Sequence, residues 1–388
     1  MSRPAPLHPA AESATDSAAA LVAVAERFAR EHVDPAAASW EHDRRMPRAS
    51  LTAAAELGLG GILVPAELGG SGLGVTAMAR IMAALAAADM GFAFSLVCHN
   101  NLAGAIAARG GDEQRHRYLP GLVDGSLVGG FLLTEPGAGS DAAAITTTAR
   151  PDGDGWILDG EKAWATNGTE ADVFIVYAQT RPGSGSQGIA SFLVDADQPG
   201  VERSEPYEML GAHSTGTCGL RFDRVRLGPE QLFVEPGVAF RAAMEAIDVA
   251  RIVVAAMCAG MLRRGLDLAV DYVSDRRAFG GPLADQQGLR WMLADVATDL
   301  EASEALADRA AAALDAGDPD LGVRAAHAKK FATRAALTGL SQCMQALGAN
   351  GFRHDRPLAR HLAGAKMAQY LDGTTEIQNV VIARSLFA

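Results

Sequence analysis

The sequence has no excess of positive charge. It holds 34 lysines and arginines against 46 aspartates and glutamates, which gives a formal net charge of −12. This balance argues against nucleic acid as a partner, because no basic stripe is available to neutralise phosphates. The sequence is also poor in cysteine, with four residues that show no CxxC spacing: Cys98, Cys218, Cys258 and Cys343. Neither a disulfide framework nor a metal site is therefore expected.

Targeting and membrane signals are missing as well. The N-terminus has no charged segment followed by an apolar segment, and no apolar run approaches membrane length. We therefore expect a cytoplasmic protein without membrane insertion. Hydrophobic residues make up 49% of the chain and charged residues 21%, as in soluble globular proteins, and 388 residues are enough for two or three folded units.

The hydrophobic pattern changes twice along the chain. Residues 18–124 are alanine-rich and show helical spacing, whereas residues 128–233 contain short β-rich runs separated by turn residues. After Pro236 helical spacing returns and continues to the end. The absence of βαβ alternation favours an antiparallel sheet or small barrel over a doubly wound sheet. The predicted class is α+β, with an N-terminal α-helical domain (1–127), a central β-domain (128–235) and a C-terminal helical bundle (236–388).

Two short segments in the β-rich part are candidates for ligand contact. FLLTEPGAGSD (131–141) contains glycines that let the backbone approach a ligand, and hydroxyl groups at Thr134 and Ser140. It matches neither GxGxxG nor a Walker sequence, so taken alone it is as consistent with a plain turn. EKAWATNG (161–168) places Trp164 and Thr166 in a predicted strand. A strand tryptophan is more often a core residue, but its small, polar surroundings also suit a flat aromatic ligand.

The segment QYLDGTTEIQN (370–380) places an acid at a bend close to the end of the chain. Asp-Gly-Thr-Thr is unfavourable inside a helix, so residues 372–375 are predicted to form a bend before a last helix. Asp372 is therefore either the N-cap of that helix or a carboxylate directed at a ligand.

Five motifs in this order resemble the acyl-CoA dehydrogenase family of flavoproteins: TEPGAGSD, DGEKAWATNG, DRRAFGGPLADQQ, QALGANGF and DGTTEIQNVVIAR. The resemblance runs from about residue 20 to the C-terminus. It implies an N-terminal helical domain, a central β-domain and a C-terminal four-helix bundle. It also implies one FAD bound at an interface between subunits, and hence a homo-oligomer, either a dimer or a tetramer.

The resemblance implies two groups of FAD-binding residues. Within one subunit, the flavin contacts would come from Leu133, Thr134, Gly139, Ser140, Trp164, Thr166 and Thr374. The neighbouring subunit would supply Arg276, Phe279, Gln286, Gln287, Gln345 and Gly348. An always-charged guanidinium suits a pyrophosphate, although without the family pattern Arg276 reads as an ordinary surface arginine.

The resemblance assigns the chemistry to Asp372, as the base that removes the α-proton of an acyl thioester while the β-hydrogen leaves as hydride. The common family residue is glutamate, so the aspartate shortens the reach by about 1 Å. Some relatives carry the base on the helix containing IDVAR, where this chain has Ala250. Ser140, Asp248 and Arg251 are implied substrate contacts, although Asp248 and Arg251 also fit an i,i+3 helix pair.

The substrate and the electron acceptor stay open at this stage. The leading interpretation is FAD-dependent α,β-dehydrogenation of an acyl-CoA or of an acyl group on a carrier protein, with an electron-transfer flavoprotein as one implied partner. A second is a flavin oxidase resembling nitroalkane oxidases, which use aspartate as base, or an acyl-carrier oxidase of secondary metabolism. A third is a non-enzymatic assembly paralogue. Two departures from the family pattern, Ala363-Gly364 and Gly216-Thr217-Cys218, concern the acyl-CoA side more than the flavin side.

Overall fold

A computed structural model describes residues 9–387. The N-terminal part is helical, as predicted, because its apolar residues recur at helical spacing and line one buried face. Its six helices are α1 (Pro9–Phe28), α2 (Asp34–Asp43), α3 (Arg48–Ala54), α4 (Val75–Ala86), α5 (Met90–Arg109) and α6 (Asp112–Asp124). The glycine-rich stretch 64–74 before α4 interrupts the helices as a loop, with one short 3₁₀ turn at Ala66–Leu68.

The central part is an eight-stranded sheet. Its strands are β1 (Gly129–Leu132), β2 (Thr148–Asp152), β3 (Gly155–Ala165), β4 (Val173–Gln179), β5 (Ile189–Asp195), β6 (Val201–Arg203), β7 (Cys218–Leu227) and β8 (Leu232–Val234). The strand order is β6-β7-β3-β2-β4-β5-β8, with β1 paired to β4. The turns at GDGW (153–156) and RPGSGSQG (181–188), two of the expected separations by turn residues, join antiparallel neighbours, β2 with β3 and β4 with β5.

The sheet is mixed, whereas an antiparallel sheet was expected. Strand β1 runs parallel to β4, and β2 meets β4 in a parallel pairing at Thr148 and Gln179. Strand β4 is buried along its whole length, so it reads as a continuous apolar run with no alternation that would reveal its partners. The α+β class and the order of helical, sheet and helical parts are confirmed.

The C-terminal part is a helical bundle. Its members are α7 (Ala239–Asp275), α8 (Gln287–Asp315), α9 (Leu321–Leu347), α10 (Leu358–Ala368) and α11 (Thr375–Leu386). A small hairpin of β9 (Arg277–Ala278) and β10 (Gly281–Pro282) connects α7 to α8. Helices α7, α8 and α9 pack along one another, and α7 and α8 also pack against α4, so the first and last parts of the chain share one apolar core. The domain bounds 1–127, 128–235 and 236–388 stay a prediction.

The expectation that no apolar run approaches membrane length was wrong for α5. This helix is long and apolar enough to cross a membrane, but 78% of its most apolar window is buried inside the protein. Burial on all sides explains why it is apolar all round, as in a core helix. Its partner at one point is Gly364 in α10, where an added Cβ would lie 2.9 Å from Met90 Cβ. The departure at Gly364 is therefore a packing requirement of this chain.

Candidate active site

The bend before α11 is a tightly held loop, as the sequence predicted. Asp372 and Gly373 both adopt positive φ angles, of 51° and 90°. The N-cap of α11 is Thr374, whose hydroxyl accepts from the Ile377 backbone N–H at 3.4 Å. The alternative interpretation of Asp372 as the helix cap is therefore wrong, and its carboxylate is available for another role.

The backbone carbonyls of this loop point at donors from three helices. Arg251 Nε in α7 donates to the Asp372 carbonyl at 2.9 Å, and Lys329 Nζ in α9 donates to the Gly373 carbonyl at 2.7 Å. Gln378 Nε2 in α11 donates to the Gly373 carbonyl at 2.8 Å. Arg251 also pairs with Asp248 at 2.7 Å, so the predicted helix pair exists and lies directly beneath the loop.

The Asp372 carboxylate lies in a poorly solvated place. Its Oδ2 atom is buried and has no hydrogen-bond partner. Burial raises the pKa of this carboxyl to about 6, against the opposing charges of Lys329 and Arg251. A carboxylate with this pKa is a stronger base than an exposed one and is still mostly ionised at neutral pH.

The first β-domain motif forms a turn held by a buried ion pair. Glu135 closes a tight turn with Ala138 through two backbone hydrogen bonds, and its carboxylate accepts from Lys162 Nζ at 2.9 Å. Lys162 also donates to the Leu133 carbonyl at 3.0 Å. Gly139 and Ser140, which follow this anchored turn, are exposed. The motif is thus a turn anchored by the Lys162–Glu135 pair, with an exposed, glycine-containing tip.

The second motif lies beside the first. The Ala163 backbone N–H donates to the Thr134 carbonyl at 2.9 Å, so the two motifs run together. Trp164 has φ of 58° and is 62% exposed, which rules out the core interpretation. Its ring meets the Tyr207 ring edge-on, with centroids 4.8 Å apart. Thr166 is buried and lies close to the Cys98 thiol.

Cys98 lies close both to the β-domain and to the loop that carries Asp372. Its thiol, in α5, contacts Thr166 of the β-domain and is close enough to Asp372 to feel its charge. Burial and that charge raise the pKa of this thiol, so it stays neutral. Cys98, Lys329 and Gln378 are residues around Asp372 that were not predicted from the sequence. The only sequence signal of Cys98 and Lys329 was a polar residue within an apolar helix face, and Gln378 lies inside the motif DGTTEIQNVVIAR.

The remaining predicted FAD contacts lie in the C-terminal helical part, where α7 and α9 end and α8 begins. All six are exposed: Arg276, Phe279, Gln286, Gln287, Gln345 and Gly348. A hydrogen bond of 2.9 Å from Asn350 to the Tyr272 hydroxyl joins the loop after α9 to the end of α7. Across residues 9–387, no hydrogen bond or ion pair links these six residues to the β-domain motifs. We name the two predicted groups of FAD contacts the β-domain half-site and the exposed half-site, and their role in binding FAD stays a prediction.

The β-domain half-site fits a flat aromatic cofactor such as FAD. An added Cβ at Gly137 or Gly139 meets no atom within 4 Å, so the motif tip faces open space. The exposed Trp164 ring offers an aromatic face in the adjoining motif. The Asp372 Oδ2 atom has no hydrogen-bond partner, and the Cys98 thiol lies near both Thr166 and the Asp372 carboxylate. The residues therefore fit both a flavin and a ligand placed next to a carboxylate.

Comparison with known proteins gives three matches to one family. The N-terminal, middle and C-terminal domain models of acyl-CoA dehydrogenases match residues 15–126, 130–225 and 239–387. The chain belongs to the acyl-CoA dehydrogenase family. It is therefore an oxidoreductase that acts on CH–CH groups and uses FAD.

Individual relatives of this acyl-CoA dehydrogenase family member are similar over nearly their whole length. The chain is 37% identical to the mitochondrial short-chain specific acyl-CoA dehydrogenase of Bos taurus, over 92% of this chain and 87% of the relative. Butyryl-CoA dehydrogenase from Megasphaera elsdenii has a TM-score of 0.93 with 31% identity and full coverage of both chains. The prolyl acyl carrier protein oxidase AnaB has a TM-score of 0.91 with 27% identity, over 96% of this chain and 99% of that one.

Proposed function

We propose that this enzyme oxidises a short acyl thioester to its α,β-unsaturated form, with Asp372 as the base. The observation that carries the proposal is the Asp372 carboxylate itself, which has a buried, unpartnered Oδ2 and a pKa raised to about 6. It projects from a loop fixed by Arg251, Lys329 and Gln378. The similarity to a short-chain specific relative supports a small acyl group.

Asp372 takes the α-proton of the substrate on its carboxylate. FAD, when bound, would supply the acceptor for the β-hydrogen as a hydride, so that a double bond forms between the two carbons. The backbone N–H of Asp372 has no acceptor among residues 9–387. It is therefore free to donate to the thioester carbonyl and make the α-proton more acidic. The predicted roles of Thr134, Trp164 and Thr166 are to hold the flavin beside that carbon.

The two half-sites support a homo-oligomer in which the end of α7 from one subunit completes the flavin site of another. Phe279 is 93% exposed and follows Arg276 by three residues, and an exposed aromatic of this kind is typical of a surface that a partner covers. Light scattering on the holoprotein tests this: a monomer that retains FAD would contradict the arrangement. A dimer and a tetramer both satisfy it.

The carrier of the acyl group is coenzyme A or an acyl carrier protein. The similarity to short-chain and butyryl-CoA dehydrogenases supports coenzyme A, and the similarity to a prolyl acyl carrier protein oxidase supports the second candidate. Anaerobic titration of the yellow holoprotein with short acyl-CoA and acyl-carrier substrates separates them, because only the true substrate bleaches the flavin. Reoxidation by air, compared with reoxidation by an electron-transfer flavoprotein, then distinguishes an oxidase from a dehydrogenase.

Replacing the base tests the proposal directly. Asp372→Asn preserves size and can still hydrogen-bond but cannot accept the proton, so flavin reduction should slow by several orders of magnitude while FAD content is unchanged. Glu376→Gln is the matched control, because Glu376 is exposed, one turn further along, and should reduce at a near-normal rate. Near-normal flavin reduction by Asp372→Asn would show that the carboxylate is not the base.

A further inference from the structure

The loop that carries Asp372 cannot hold its conformation alone. Two successive residues have left-handed backbone angles, and an aspartate in this region is strained by about 1 kcal/mol or more relative to extended backbone. Such a conformation persists only where its surroundings hold it. Here the hydrogen bonds from Arg251, Lys329 and Gln378 to the two loop carbonyls supply that restraint.

Lys329 differs from the other two donors. Its side chain is 1% exposed, and the one hydrogen bond that it makes in the described chain goes to the Gly373 carbonyl. No carboxylate of the described residues lies within ion-pair distance of its amine. A buried lysine without a paired acid is costly. The charge of Asp372 is the principal influence that favours the charged amine.

The other charged groups around the loop are already accounted for. From α7, Arg251 faces the loop, but its charge is shared with Asp248 at 2.7 Å. From α5, the Cys98 thiol faces Asp372 and is neutral. From α7, Cys258 lies near Lys329, and burial raises the pKa of that thiol to about 12, so it too is neutral. On α11, Glu376 is exposed to solvent. Among the described groups around the loop, Lys329 is thus the cation that acts on Asp372 and has no ion-pair partner.

We propose that Lys329 is a positioning residue for the base: it anchors the Gly373 carbonyl and keeps the Asp372 carboxylate ionised. The inference rests on the proposed role of Asp372. An amine charge beside a carboxylate favours its ionised form, so without Lys329 the pKa of Asp372 rises above about 6. Burial lowers the pKa of Lys329 to about 8. Both groups are therefore charged mainly between about pH 6 and pH 8.

Two variants separate the charge from the hydrogen bond. Lys329→Met removes both, whereas Lys329→Gln removes the charge and keeps a donor. The matched control is Lys330→Met, which deletes the neighbouring, more exposed amine. The rate of anaerobic flavin reduction is measured from pH 5 to pH 9 in each holoprotein with the same acyl thioester. Hydrogen–deuterium exchange of residues 370–376 reports the loop separately from activity.

The acid limb of the reduction rate should move upward by about one pH unit or more in both Lys329 variants. At a pH below that limb, both Lys329 variants should therefore reduce the flavin roughly tenfold more slowly than wild type at the same pH. Substrate KM should change little. Loop exchange should accelerate in Lys329→Met and less in Lys329→Gln, and Lys330→Met should match wild type. Should the methionine variant not fold, Lys329→Gln still tests the charge.

An acid limb that stays at its wild-type pH in a folded, FAD-containing Lys329 variant would overturn the proposal. So would a drop in rate of equal size at every pH, because that is the signature of a purely structural defect. The function itself is tested apart from this: an inactive Asp372→Asn together with an unshifted Lys329 variant would leave the base in place and remove only the role of Lys329. An active Asp372→Asn would refute both.

Discussion

The buried pair of Lys162 and Glu135 should be essential for the β-domain half of the flavin site. Their side chains are 0% and 3% exposed, and the charged atoms are 2.9 Å apart. Lys162→Met leaves the carboxylate buried without its cation. Breaking a buried pair in this way costs about 3–5 kcal/mol.

The pKa of Glu135 gives a second measure of the same interaction. Burial alone would raise it, but the charge of Lys162 and hydrogen bonds from Lys162, Thr147 and Thr146 outweigh burial and lower the pKa from 4.5 to about 2. That difference corresponds to about 3 kcal/mol of stability. Because the folded pKa is depressed, this stability is complete above about pH 4.5 and is lost as the pH falls towards 2.

Urea unfolding followed by tryptophan fluorescence checks both figures, since Trp156 and Trp164 lie in β3. At pH 7, Lys162→Met should lower the unfolding free energy by about 3 kcal/mol and weaken FAD retention. The deficit should shrink towards pH 4, because the unpaired Glu135 takes up a proton. The double variant Lys162→Met/Glu135→Gln is the control and should be more stable than Lys162→Met alone. Equal stability of wild type and Lys162→Met, or no recovery in the double variant, would refute this reasoning.

Two further predictions concern the exposed half-site and the packing of α10. Arg276→Ala should weaken FAD binding by about tenfold or more with little change in thermal stability, because Arg276 is exposed and would lose one charge-assisted contact. Arg277→Ala is its control by equilibrium dialysis, and equal FAD affinities in the two would remove Arg276 from the site. Gly364→Ala should destabilise the protein by about 1–3 kcal/mol, because the new Cβ would lie 2.9 Å from Met90 Cβ. Gly288→Ala, whose new Cβ meets nothing within 4 Å, should show no comparable loss in calorimetry.

Local features of this protein were predictable from the sequence alone. The turn at GDGW, the bend at Asp372 and the long apolar periods of α7 to α9 depend on neighbours within a few residues, so the residue types specify them directly. The family motifs likewise indicated an acyl-CoA dehydrogenase, because five of them occur in one order along the chain. The predicted contacts of individual residues with FAD and substrate stay predictions, although the structure brings Asp372, Arg251 and Asp248 together.

Only the tertiary structure decided what surrounds Asp372. Lys329 is 44 residues from the Gly373 carbonyl that it binds, and Arg251 is 121 residues from the Asp372 carbonyl. No local pattern encodes such pairings, because they result from how α7, α9 and α11 pack. The parallel partner of β1 was hidden for a related reason, since the fully buried β4 shows no alternation. The raised pKa of Asp372 follows from burial, a property of the folded chain that the residue type does not carry.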